Sequence, residues 1–238
     1  MEKPYIICHM VTSLDGKVTG DFLGDRQYGS LIESYYRIHR QYEANGFLCG
    51  RVTMEESFPQ PAHVQATTYD NEMPVSKEDH VAKQAPFYAV SIDPKGKLFW
   101  SKGEITDIDE GYNGAHLIEI LTHNVSGCFL EHLQEKGVSY LFGGKSELDL
   151  ALIASKLKNK FGIEKLLLEG GGIVNGAFLQ ANLIDEISLV VAPVVGSPEA
   201  TSLFATGHYS LPNTFPASFH LKKAEQLDNS GLWLVYQK

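Results

Sequence analysis

The sequence predicts an α/β protein: three layers, α/β/α, around a mixed, mainly parallel sheet that ends in an antiparallel hairpin. Three observations carry this. Short apolar, β-branched runs alternate with helical patterns along the chain, as they do when helices cover the faces of a sheet. The last two runs, Ser218–Ala224 and Leu232–Tyr236, are separated by Asp228-Asn-Ser-Gly231, a hairpin signal. With 238 residues, 43% hydrophobic and 21% charged, the chain is long and apolar enough to bury a sizeable core.

The remaining elements follow in order. Tyr5–Val11 reads as the first strand and Ser30–Glu43 as the first helix. Strands are predicted at Gly46–Cys49, Phe87–Ile92 and Ala115–Leu121, then a helix at Val125–Glu135 and a strand at Ser139–Phe142. A helix over Glu147–Asn159 would place Leu148, Leu152, Ile153 and Leu157 on one face. Strand Lys165–Leu168, helix Gly172–Gln180 and strand Glu186–Ala192 precede the hairpin. Residues 59–84 are polar and dotted with proline, and read as a surface excursion, either a lid or a dimer arm. No repeat or low-complexity linker divides the chain, so a single domain over residues 1–238 is expected.

Composition excludes some functions. A formal net charge of −9 repels a phosphate backbone, which argues against nucleic-acid binding. No apolar stretch approaches the roughly 18 residues of a membrane span, and the N-terminus has no signal-peptide pattern. Cys8, Cys49 and Cys128 are far apart and odd in number, which fits reduced thiols and a cytoplasmic location. The nine histidines show no metal-ligand spacing, so no metal is expected.

Three motifs carry chemistry. Glu169-Gly-Gly-Gly172 lies between an apolar strand and a helical pattern. Glycines let the backbone approach a ligand, and a helix N-terminus offers free N–H groups to a pyrophosphate; a tight turn without a ligand has the same pattern. The spacing is not the dinucleotide G-x-G-x-x-G. Cys49-Gly-Arg-Val-Thr53 follows a strand; Thr53 is placed to cap a helix and Arg51 to meet a phosphate. Thr12-Ser-Leu-Asp-Gly-Lys17 puts Ser13 and Asp15 at a strand's carboxyl end, where open α/β sheets bind ligands, although Asp-Gly is also a plain turn signal. His9, inside the first strand, reads first as a satisfied structural residue.

The order of these motifs, followed by Leu183-Ile-Asp-Glu-Ile187 and Val190-Val-Ala-Pro-Val-Val-Gly196, resembles the dihydrofolate-reductase-like superfamily. It is most similar to the riboflavin-pathway pyrimidine reductases, the C-terminal domain of the bifunctional deaminase–reductase. The zinc signature of the deaminase half is absent from these residues, so a stand-alone reductase is expected. The resemblance implies hydride transfer from NADPH to C1′ of a phosphorylated ribosylamino-pyrimidine, in a homodimer built around the C-terminal part of the sheet.

The resemblance implies cofactor contacts at Val11, Tyr28, Thr53, Gly170, Gly171, Gly172, Ile173, Val174 and Asn175. It implies substrate contacts at Glu169, with Arg40 for the phosphate, and places Glu169, His9 and Asp15 at the catalytic centre. Two positions depart from the family pattern. His9 stands where relatives carry a lysine, as a candidate proton donor, and Pro94 follows Asp93 where they carry a small polar residue. Lys95 or Lys97 then becomes the candidate for a 2′-phosphate. A dihydrofolate, pterin or other small imine or carbonyl substrate is the alternative reading, and a non-catalytic cofactor sensor is the alternative of another class.

Overall fold

The computed structural model describes residues 2–58, 76–207 and 216–238. In chain order the strands are β1 (Tyr5–Thr12), β2 (Gly46–Gly50), β3 (Tyr88–Ile92), β4 (His116–Thr122), β5 (Ser139–Gly144), β6 (Lys165–Leu168), β7 (Glu186–Val191), β8 (His220–Gln226) and β9 (Leu232–Gln237). The α-helices are α1 (Gly29–Gln41), α2 (Arg51–Ser57), α3 (Gly127–Glu135), α4 (Leu150–Phe161) and α5 (Gly172–Gln180). The chain groups into two compact units, Met1–Pro4 with Asn45–Glu164, and Tyr5–Ala44 with Lys165–Lys238.

The first unit holds four parallel strands in the order β2-β3-β4-β5. Every residue of β2, β3 and β4 is buried, which is why these strands read as apolar runs without alternation. Phe47, Val90, Leu117, Ile118, Leu141 and Leu157 are wholly removed from solvent. The edge of β5 is covered by the end of the 59–84 excursion. His80 and Tyr140 exchange backbone hydrogen bonds of 2.9 Å, and Asp79 Oδ1 accepts from the Phe142 amide and the Lys156 ammonium, both at 2.9 Å. Pairing this edge removes a row of open backbone groups that would otherwise template association. Residues 59–75, on which the lid or dimer-arm expectation mainly rests, lie outside the described residues.

The second unit has the strand order β6-β1-β7-β9-β8. β1 runs parallel to β6 and β7, whereas β7–β9 and β9–β8 are antiparallel. The C-terminal hairpin forms as predicted, its connection a short 3₁₀ turn over Asp228–Ser230. α1 packs on β1 and β7. Leu31 and Ile38 of the helix join Val11, Phe22, Val190, Ala192 and Leu227 in one apolar cluster.

Two local expectations are corrected. Asp149, not a residue near 147, caps α4, its side chain accepting from the Leu152 amide at 2.9 Å. The buried face is consequently Leu150, Ile153, Ala154, Leu157 and Phe161; Leu148 lies before the helix and Leu152 is only half-buried. Thr53 does not cap α2 either. Gly50 holds the N-cap position, and Thr53 is the third helical residue.

Candidate active site

The glycine segment leaves the sheet at the carboxyl end of β6, where Leu168 pairs with Cys8 of β1. Glu169 follows, and the chain then passes through Gly170 into α5. Gly170 has φ +102, in the region that side chains avoid, and a Cβ there would lie 3.2 Å from the Met10 methyl. Gly171 is the N-cap of α5 and is half-buried; no side chain caps the helix and no acidic residue occupies its first turn. Among the described residues, the first-turn N–H groups and the positive end of the helix are thus without a side-chain acceptor.

Gly172 has a different task. A Cβ at Gly172 would meet the Ser202 carbonyl at 2.0 Å, and one at Gly176 would meet the Ala205 carbonyl at 2.3 Å. The Ala205 amide donates to the Gly172 carbonyl at 2.9 Å. These two glycines let the 201–205 segment lie directly on α5. Ile173 is 42% exposed, Val174 is buried, and Asn175 is fully buried with neither amide atom in a hydrogen bond. A buried amide left unpaired costs about 1–3 kcal/mol, so Asn175 is the most unsettled polar group of α5.

Glu169 is buried against His39 of α1. His39 Nδ1 lies 2.7 Å from Glu169 Oε1, with side-chain exposures of 2% and 3%. Cys8 is also close enough to feel the carboxylate, and burial with that charge pushes its thiol far up.

His9 is fully buried, and its surroundings fix its state. Trp233 Nε1–H donates to Ser188 Oγ at 2.9 Å, and the same oxygen lies 3.1 Å from His9 Nδ1. His9 Nε2 faces the Tyr35 carbonyl, which only accepts, at 3.1 Å. Because that carbonyl cannot donate, it favours the Nε2–H tautomer of the neutral ring. The ring also stacks on Tyr35, with centroids 4.5 Å apart. Burial lowers its pKa, and the nearby Glu169 charge only partly offsets this. Both ring nitrogens thus have partners, the surroundings of a satisfied core histidine.

Asp15 is likewise committed. Its Oδ1 accepts from Ser13 Oγ at 2.6 Å and from the Gly196 amide at 2.7 Å, and these bonds hold its pKa below the usual carboxylate value. The side chain ties the turn after β1 to the 194–196 segment, where the Leu14 amide donates to the Val194 carbonyl at 2.8 Å. Val11 and Tyr28 are brought together, both packing in the cluster beneath α1. Arg40 is exposed in the last turn of α1.

In the first unit, Thr53 is half-buried on α2. Asp93 is buried at the carboxyl end of β3 and accepts from the backbone amides of Leu98 (2.8 Å) and Lys97. It closes the turn on which Lys95 and Lys97 stand exposed. Burial raises its pKa, opposed by these amides and by Arg51.

Sequence reasoning missed His39, Ser188 and Trp233, the groups that set the states of Glu169 and His9. The available signal was helical spacing: Tyr35 and His39 are four residues apart on α1 and therefore share a face. Nothing local links Ser188 or Trp233 to His9, because strand pairing brings them together.

The family model of the RibD C-terminal domain matches residues 4–232. The chain belongs to that family. It is 28% identical over 206 residues to a Kluyveromyces lactis protein named 2,5-diamino-6-ribosylamino-4(3H)-pyrimidinone 5′-phosphate reductase, covering 82% of this chain and 75% of that one. Proteins of the same name from Methanothermobacter thermautotrophicus (25%, covering 84% and 83%) and Aquifex aeolicus (23%, covering 100% and 99%) are also similar. Among solved structures, a pyrimidine reductase-like protein from Corynebacterium diphtheriae superposes with a TM-score of 0.67 at 16% identity, over 98% of this chain and 91% of that one. RibD from Acinetobacter baumannii superposes with a TM-score of 0.65 at 21% identity, over 99% of this chain and 58% of that longer one. The structural likenesses show the shared fold.

Proposed function

We propose that the protein is a nicotinamide-dependent reductase of riboflavin biosynthesis, acting on 2,5-diamino-6-ribosylamino-4(3H)-pyrimidinone 5′-phosphate or its aminouracil counterpart. The observation that carries this is the opening of α5: an uncapped helix N-terminus behind Gly170 and Gly171, with the unpaired amide of Asn175 in the next positions. Such a cradle fits the pyrophosphate of a dinucleotide. The relatives' shared name and the family match over both units support the substrate and the reading of residues 1–238 as one reductase domain.

NADPH, when bound, supplies the hydride that reduces the ribosyl C1′. The protein's own contributions are positional. Gly171 admits the cofactor backbone at the start of α5, and Val11 and Tyr28 form an apolar wall in the same unit. Glu169 accepts from an N–H or O–H of the substrate at the foot of the glycine segment. Arg40 takes the substrate phosphate. Lys95 and Lys97 are the candidates for the 2′-phosphate that separates NADPH from NADH. A cytoplasmic homodimer completes the reading. Its support is the three unbridged cysteines and the β8–β9 hairpin, where Leu221 and Leu232 are 57% and 39% exposed.

The test is loss of reduced-nicotinamide absorbance on mixing the protein with NADPH and the ribosylamino-pyrimidine phosphate. Turnover is expected, with NADH a poorer donor. NADPH binding without turnover would overturn the substrate assignment, and faster oxidation with dihydrofolate would move it to the pterins. Equal use of NADH would remove Lys95 and Lys97 from the cofactor site.

A further inference from the structure

We infer that His39 is a positioning residue, which fixes the orientation of Glu169 for substrate binding; this rests on the reading of Glu169 as a substrate contact. Glu169 is the first residue beyond β6 and directly precedes the glycine segment, so its side-chain direction is set where the chain turns out of the sheet. A flexible carboxylate there would sample several rotamers. His39 removes that freedom, with Nδ1 2.7 Å from Oε1 and both side chains buried. The imidazole is held in turn by its helix. It lies in the last turn of α1, whose Leu31 and Ile38 are anchored in the apolar cluster beneath.

A buried carboxylate is favoured in its charged form by a donor bonded to it, and His39 Nδ1 stands at the distance for that bond, 2.7 Å from Oε1. His9 cannot substitute, because its single N–H points to the Tyr35 carbonyl. The two histidines near Glu169 have separate duties: His9 is neutral and structural, and His39 is the direct partner of the carboxylate.

The geometry defines a discriminating set of variants. An asparagine at position 39 places its amide nitrogen where the histidine Nδ1 stands. A glutamine carries its nitrogen one carbon further, and a leucine has none. Initial rates with NADPH and the ribosylamino-pyrimidine phosphate, alongside NADPH binding by fluorescence, test the assignment. His39→Asn is expected to keep kcat within about threefold of the parent. His39→Gln and His39→Leu are expected to lose about ten- to a hundredfold in kcat/KM for the pyrimidine, while the Kd for NADPH changes less than threefold. If His39→Leu does not fold, the contrast between Asn and Gln decides. Equal activity in Asn and Gln variants, or a matching loss of NADPH binding, would overturn a positioning role. Glu169→Gln is measured in parallel. If it turns over normally, the underlying reading of Glu169 fails; if it is impaired while His39→Gln is not, only the His39 inference fails.

Discussion

The Ser188 hydroxyl accepts from the Trp233 indole and lies 3.1 Å from His9 Nδ1, while His9 Nε2 faces the Tyr35 carbonyl, so both ring nitrogens are engaged. A histidine fixed in this way does not ionise readily. Its folded pKa is below its unfolded one, so the unfolded chain takes up a proton first and stability falls as pH drops below the unfolded value of about 6.5. Nitrogen-15 NMR of the imidazole is expected to show the Nε2–H tautomer, with no protonation between about pH 6 and 8. Ser188→Ala leaves Nδ1 and the indole N–H without this partner and should cost about 1–3 kcal/mol in urea unfolding. A His9 signal that titrates near its free value would contradict this arrangement.

The glycines of the α5 segment separate into two classes. Gly172→Ala drives a Cβ to 2.0 Å from the Ser202 carbonyl, so the 201–205 segment must move, and a loss of about 1–3 kcal/mol is expected in denaturant. Gly171 has φ −68, which any residue adopts, and is half-buried. Gly171→Val should therefore weaken NADPH binding at least tenfold with a smaller effect on stability, because the side chain blocks approach of the cofactor backbone. Unaltered NADPH affinity in Gly171→Val would move the cofactor away from this segment.

Much of this architecture is legible in the sequence. Lys165–Leu168 and Gly172–Gln180 form with the predicted boundaries, because a short apolar run and a glycine punctuation leave few alternatives. The hairpin follows from Asp228–Gly231 for the same reason. What is not legible is the environment of each polar group. His9 and Glu169 were recognisable as buried-strand and strand-end residues, but their partners come from positions 39, 188 and 233. Their chemistry is set by contacts far apart in sequence, 130 residues for His39–Glu169, 179 for His9–Ser188 and 45 for Ser188–Trp233, apart from the His9–Tyr35 bond within one βα unit. Thr53 illustrates the opposite error: a residue with capping chemistry placed three positions inside the helix.

Asp15 links the turn after β1 to the 194–196 segment. Asp15→Asn keeps an acceptor but loses the charge that strengthens the bonds from Ser13 and Gly196. Amide hydrogen exchange at Leu14 and Gly196 is expected to quicken several-fold, with the core strands unchanged. The carboxylate's folded pKa is lowered, so its contribution is present above the unfolded value of about 3.9 and is lost as pH falls through the folded one. The parent should show the same loosening on acidification, and Asp15→Asn should show little further change. A complete loss of turnover with unaltered exchange would instead place Asp15 in the chemistry.

Glu119 gives the opposite pH dependence. It is fully buried in β4; its Oε1 accepts from the Trp100 indole, and the Ser91 hydroxyl is close enough to act on the carboxyl. Burial, reinforced by Asp93, holds its carboxyl well above the usual carboxylate range, so the folded protein retains a proton that the unfolded chain releases. The full contribution of this group is present below the unfolded pKa of about 4.3 and declines as pH rises, by up to about 1.4 kcal/mol per pH unit until the folded pKa is reached. Glu119→Gln retains the acceptor for Trp100 and supplies an N–H toward Ser91 without a proton to lose. Its stability advantage over the parent is therefore expected to grow between pH 5 and pH 8 in urea titrations. A difference that does not vary with pH would show that Glu119 is ionised in the folded state, with the Ser91 hydroxyl as the donor beside it.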